Sequence, residues 1–305
     1  MNMIYEAHDF YLSYIWPPNM HQRPDHIQGL IFATLGALTL TPDGLLVRLA
    51  GTSEWSTVFW RGLFIGLGLL IWQIILHKKS VFKKFPPSSI KEWCSTGLAA
   101  IGTLTFVMAI KHTTVANTLV ILSTMSLFAA FFSMIFLKER IALRTWVAMA
   151  FAICGIVIVF IDDLSGDDML GKLIALTCAF VTAGNMTLIR SEKGINLPTV
   201  FAWGGFFSTI PALYFAPSLA LQTQSTITLI AMGGLNALAF VLIGAGAKRI
   251  PSPEVSLLML LETIIGPIWV WFILQEVPSD NALIGGAIVV GTLALHSLAS
   301  LRKRA

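Results

Sequence analysis

One stretch of this sequence, residues 253–276, reads PEVSLLMLLETIIGPIWVWFILQE. Between Glu254 and Glu276 the single charge is Glu262. About 20 apolar residues cross a bilayer core as a helix, so this run is long enough to span one with a carboxylate part-way along. A charge at such a depth costs roughly 2.5–3.5 kcal/mol on insertion scales. A carboxyl held there therefore needs a partner, either a proton or a cationic group on a bound molecule. By rise per residue it should sit about 18 Å from the far end of its span, with no basic residue expected at that level. Five residues on, Pro267 lacks an amide and should clash with the carbonyl of Thr263. The sequence thus predicts a kink beside Glu262, with Pro267 as a hinge and the kink facing a polar chamber.

A second set sits earlier. Asp43 and Arg61 flank a turn near Thr52 at equal distance along the chain. In an antiparallel hairpin they reach the same depth, about 7–13 Å below the surface. Two readings stay open: a structural ion pair, or a gate that contacts substrate, with Pro42 beside Asp43 as a second hinge. Asn117, Asn185 and Asn236 fall inside other apolar runs. Each offers both donors and acceptors, to a ligand or to a neighbouring helix. Trp269, nearly two turns from Glu262, is the expected cavity aromatic.

These groups are positioned by long apolar segments. The chain has 305 residues, 56% of them hydrophobic and 12% charged. A soluble domain carries about 25% charge, so the composition points to a polytopic membrane protein. Ten spans are expected, near 28–49, 56–77, 92–111, 113–137, 143–161, 171–190, 198–219, 225–249, 252–274 and 280–301. Residues 1–27 form an amino-terminal cytoplasmic or interfacial segment, with Met20 as an alternative start, and 302–305 a basic tail. Most of the 20 basic residues cluster in alternate loops and in that tail. Basic loops stay in the cytoplasm, so both termini are expected inside. The three cysteines should be small buried hydrophobes without disulfides. Glycines in 62–66, 233–234 and 285–286 suggest close helix contacts.

The halves also resemble each other. Residues 109–139 align without gaps with 246–276, matching Lys111 to Lys248 and Glu139 to Glu276. Gly29, Asp43 and Arg48 fall opposite Gly171, Asn185 and Arg190. Five spans per half is an odd count, which would set the second half upside down. Such inverted repeats place a binding site near the midplane.

PDGLLVRL, FWRGLF and TTVANTLVILS in the first half resemble EamA-type members of the drug/metabolite transporter superfamily. So do FLKERIALRTWVAMAFAICGIVIV and the stretch from PEVSLLMLLETIIGP to ALIGGAIVVG. A glutamate soon after the fourth span of each half, then a Gly-rich fifth span, is met at Glu139 and Glu276. Pro42-Asp43 departs from the pattern, which more often has Gly or Asn there. The resemblance implies an all-α membrane protein. Ten transmembrane helices form two inverted five-helix repeats, 28–161 and 171–301, around a central cavity.

The resemblance also implies transport of small metabolites, often export. Aromatic cavity residues lean toward amino acids or other amphipathic metabolites. A bacterial inner-membrane carrier is the resulting expectation, with a metabolite and a candidate proton as partners, membrane lipids around it, and no nucleic acid. The oligomeric expectation is a monomer or weak dimer. An alternative is a membrane-embedded lipid- or ligand-binding scaffold without net transport. The sequence has no HExxH, P-loop or zinc spacing, so no enzyme activity and no cofactor are expected.

Overall fold

A computed structural model describes residues 22–77, 86–139, 141–161, 168–191 and 195–302. The expectations for residues 1–21, for the basic loop at 78–85 and for most of the acidic loop at 162–168 lie outside these. Every regular element among the described residues is a helix. In chain order they are α1 (Gln22–Leu40), α2 (Asp43–Leu49), α3 (Glu54–His77), α4 (Ile90–His112), α5 (Val115–Ser123) and α6 (Met125–Leu137). Then follow α7 (Leu143–Ile161), α8 (Asp168–Ser191), α9 (Leu197–Phe215), α10 (Thr223–Ala247), α11 (Ser252–Leu274) and α12 (Asp280–Arg302). Among the described residues, nine helical stretches, with α1–α2 and α5–α6 each counted as one, are long and apolar enough to cross a membrane. The remaining helix, α9, packs along α3 and α4. All ten expected spans are therefore helical.

Two spans are broken, and in both the break is stitched by a threonine. Pro42 has no amide to donate to the Leu38 carbonyl. That oxygen accepts instead from the Thr41 amide (3.2 Å) and hydroxyl (2.8 Å). The chain then restarts with Pro42 capping α2. Between α5 and α6, Thr124 turns its hydroxyl onto the Ile121 carbonyl (2.6 Å). Freed carbonyls at membrane depth must find such partners. At Pro267, the expected hinge, α11 stays helical from Ser252 to Leu274 with the proline inside it. A helix tolerates an interior proline when its neighbours re-satisfy the backbone.

Chain direction alternates between the two ends of the bundle. The end where α1 begins is called the near end, the other the far end. The main packing seams join the two halves: α1 with α10, α4 with α8, α3 with α9, and α7 with α12. Small residues set the spacing. A Cβ on Gly62 or on Gly205 would lie 2.5 Å from the other's carbonyl oxygen, so α3 and α9 touch backbone to backbone. Gly155 and Gly285 do the same for α7 and α12. Gly234, by contrast, faces open space.

The polarity is arranged inside-out. Large apolar side chains such as Ile71, Phe151, Ile210, Phe272 and Leu295 are more than half exposed. Thr41, Asp43, Arg61, Asn185 and Asn236 are buried. Only a hydrocarbon solvent rewards that distribution. The same solvent explains a departure from expectation at the cysteines. Cys178 is buried, but Cys94 and Cys154 are exposed, because an apolar thiol gains nothing by avoiding lipid.

Candidate functional site

The break in the first span places Asp43 in the first turn of α2. Its carboxylate meets Arg61 of α3, with Nη2 to Oδ2 at 2.7 Å and Nε to Oδ1 at 3.5 Å. Asn236 of α10 completes the set. Its amide nitrogen donates to Asp43 Oδ1 at 2.7 Å, and its oxygen accepts from Arg61 Nη2 at 3.3 Å. Asn suits this place because it offers the carboxylate a donor and the guanidinium an acceptor. Asp43, Arg61 and Asn236 are exposed by only 3%, 5% and 1%, so each charge depends on its partners. Phe106 of α4 lies under the guanidinium, 5.0 Å from ring centroid to Cζ, a desolvated cation–π contact. Sequence reasoning missed Phe106, because nothing in its spacing marks it among 20 phenylalanines.

α11 forms the opposing wall. Gly266 lets it approach the break closely enough that an added Cβ would clash with Leu119 and touch the Thr41 carbonyl. Three residues on, Trp269 donates its indole N–H to the Thr41 hydroxyl at 3.1 Å. One turn before Gly266, on the same helical face, Glu262 keeps some accessible surface. It lies within electrostatic range of both Asp43 and Arg61. The hydrogen bonds of Arg61 go to Asp43 and Asn236, so its charge acts on Glu262 from a distance. Cys178 of α8 also lies within range of Arg61 and Glu262.

The other two asparagines are not part of this network. Asn185 of α8 accepts the Ser95 hydroxyl at 2.5 Å, joining α8 to α4. Asn117, in the first turn of α5, donates to the Thr113 hydroxyl at 3.1 Å. Its side-chain oxygen is buried without a hydrogen-bond partner. Pro42 lies at a real break, adjoining Asp43. Pro267 faces an apolar groove of about 500 Å³, bounded by Val120, Thr263, Trp271 and Ala282.

Comparison with known proteins bears on this arrangement. Residues 27–161 match the model of the EamA-like transporter family. An uncharacterized transporter, YdfC of Bacillus subtilis (strain 168), is 26% identical over 189 residues, 56% of this chain. The match spans 58% of the length of that relative. A solved crystal structure of a protein superimposes with a TM-score of 0.66. At 18% identity over 91% of this chain and 99% of its own, it shows a shared fold alone. With its apolar helices and buried charges, the chain is a multi-pass membrane protein whose residues 27–161 match the EamA-like transporter family.

Proposed function

We propose that this protein is a secondary carrier that moves a small metabolite across a bacterial inner membrane by alternating access. The observation that carries the reading is the buried Asp43–Arg61–Asn236 network at a helix break, faced by Glu262, inside a bundle with an apolar exterior. Arg61 is paired with Asp43 and within electrostatic range of Glu262, so the site offers charges of both signs, complementary to those of an amino acid, which supports that substrate class. Export, with both termini cytoplasmic, is the direction the resemblance implies. Among the described residues, Lys91, Lys138, Arg190 and Arg249 cluster at the near end, which supports calling that end cytoplasmic.

Reciprocal contacts support an inverted-repeat reading. Gly29 of α1 packs against Arg249 and Ile250, while Gly171 of α8 packs against His112 and Thr113. These are matching positions of the two halves, with partners exchanged. Repeats arranged in this way place a binding site near the midplane, about which helices of the two halves can tilt.

The test is reconstitution in liposomes. Labelled amino acid should exchange by counterflow without ATP, and Glu262→Gln should slow that exchange or change its pH dependence while the thermal melt is kept. A scaffold would bind ligand without counterflow, and unchanged exchange by Glu262→Gln at every pH would remove Glu262 from the site.

A further inference from the structure

Each half carries an arginine late in its first span and a glutamate just after its fourth: Arg48 and Glu276 meet at the far end, Arg190 and Glu139 at the near end. The arginine of either half therefore pairs with the glutamate of the other. The local frames match as well. Glu139 follows Lys138 and Glu276 follows Gln275, each in the left-handed conformation at the end of its helix (φ 55 and 56). A left-handed residue without glycine is uncommon, and its repetition at equivalent positions marks one device used twice.

The two copies clamp different seams. At the far end Glu276 lies 3.3 Å from Arg48 Nε. Its other oxygen accepts the Val115 amide at 2.9 Å, while Arg48 Nη2 donates to the Thr113 carbonyl at 2.8 Å. The end of α11 is thereby tied to α2 and to the α4–α5 corner. At the near end Arg190 Nη2 contacts both Glu139 oxygens at 3.0 and 3.1 Å, and Nη1 donates to the Ser133 hydroxyl at 3.1 Å. That ties α8 to α6. Both ties are closed in this structure.

We propose that these pairs are opposed latches: Arg48–Glu276 holds the far mouth of the central chamber shut, and Arg190–Glu139 the near mouth. The proposal rests on the alternating-access reading and names the residues that set its balance. Opening the far mouth parts α11 from α2 and the α4–α5 corner, which breaks the first pair and leaves the second intact. Opening the near mouth parts α8 from α6 and does the reverse. A ligand or a lost contact shifts such an equilibrium only through its difference between the two states, so removing one latch must favour opening on its own side. The near pair is half exposed and the far pair about a quarter exposed.

The native Cys178 supplies the readout, because it is buried within electrostatic range of Arg61 and Glu262. In full-length protein with Cys94 and Cys154 changed to Ser, a membrane-impermeant methanethiosulfonate ammonium reagent is applied to oriented vesicles from one side at a time. Glu276→Gln should raise the labelling rate of Cys178 from the far side a few-fold and lower it from the near side. Glu139→Gln should do the opposite. The charge exchange Arg48→Glu/Glu276→Arg should return far-side labelling toward the parent rate, which also guards against a Glu276→Gln variant that merely folds poorly.

If both glutamine variants raise labelling from both sides, the pairs only brace the fold, and the latch assignment falls. Unchanged rates overturn it equally. Counterflow by the parent is measured in parallel. A parent that exchanges substrate with unaltered side preference in the variants refutes the latches alone. A parent that does not exchange refutes the carrier reading.

Discussion

Asp43 accepts hydrogen bonds from a charged donor and a neutral one, and only the charged one balances its charge. Removing that balance is expected to be costly, because a buried charge left without its partner destabilises by about 3–5 kcal/mol. Asp43→Asn strands the Arg61 guanidinium over Phe106 and should lower the thermal midpoint in detergent. Arg61→Gln should do likewise, while the double variant should cost clearly less than the two added together. Additive losses would show that the pair is not an energetic unit. The Asp43–Arg61 meeting was legible in the sequence because two residues equidistant from a hairpin turn must share a depth. Asn236 was legible only as a polar residue in an apolar run. Its partner stands 193 positions away, and a spacing rule does not reach that far.

At the scale of elements, the broken first span shapes the site. Pro42 denies the Leu38 carbonyl its helical donor, Thr41 takes over that carbonyl, and the same Thr41 hydroxyl receives the Trp269 indole. Pro42→Ala should supply the missing amide and let α1 and α2 run together, turning Asp43 away from Arg61 and Thr41 away from Trp269. We expect the thermal midpoint to hold while counterflow falls at least about tenfold, since a small displacement of a positioning group has that scale of effect. Counterflow at the parent rate would mean that the break is incidental. Sequence located this break because proline announces it. It did not locate the break at Thr124, where no proline or glycine stands and the hydroxyls of Ser123 and Thr124 fold back onto the Val120 and Ile121 carbonyls. Pro267, by contrast, lies inside a continuous helix, so a proline by itself does not mark where a span is interrupted.

For the whole molecule, the seams say which parts depend on which. The family match covers residues 27–161, which invites treating the first half as a unit. Its helices pack chiefly against the second half: α1 on α10, α3 on α9, α4 on α8, α7 on α12. The backbone contacts of Gly62 with Gly205 and of Gly155 with Gly285 also cross between halves. A half alone would turn Asp43 and Arg61 toward lipid without Asn236, at the cost expected of charges in hydrocarbon. Residues 22–161 produced alone should therefore be degraded in the membrane or aggregate in detergent. Produced together with 168–305 as a second chain, they should co-purify and regain a cooperative melt. A first half that melts alone as sharply as the full chain would contradict the packing. The same interlocking limits how the protein can move. Halves joined along four seams cannot separate as rigid blocks, so any opening must slide or tilt helices along the glycine-lined contacts while the polar ties at one end release. Bulk at Gly62 separates these two roles. Gly62→Leu would wedge α3 from α9 at a cost of about 1–3 kcal/mol and should slow exchange from both faces alike, measured as counterflow with substrate loaded on either side.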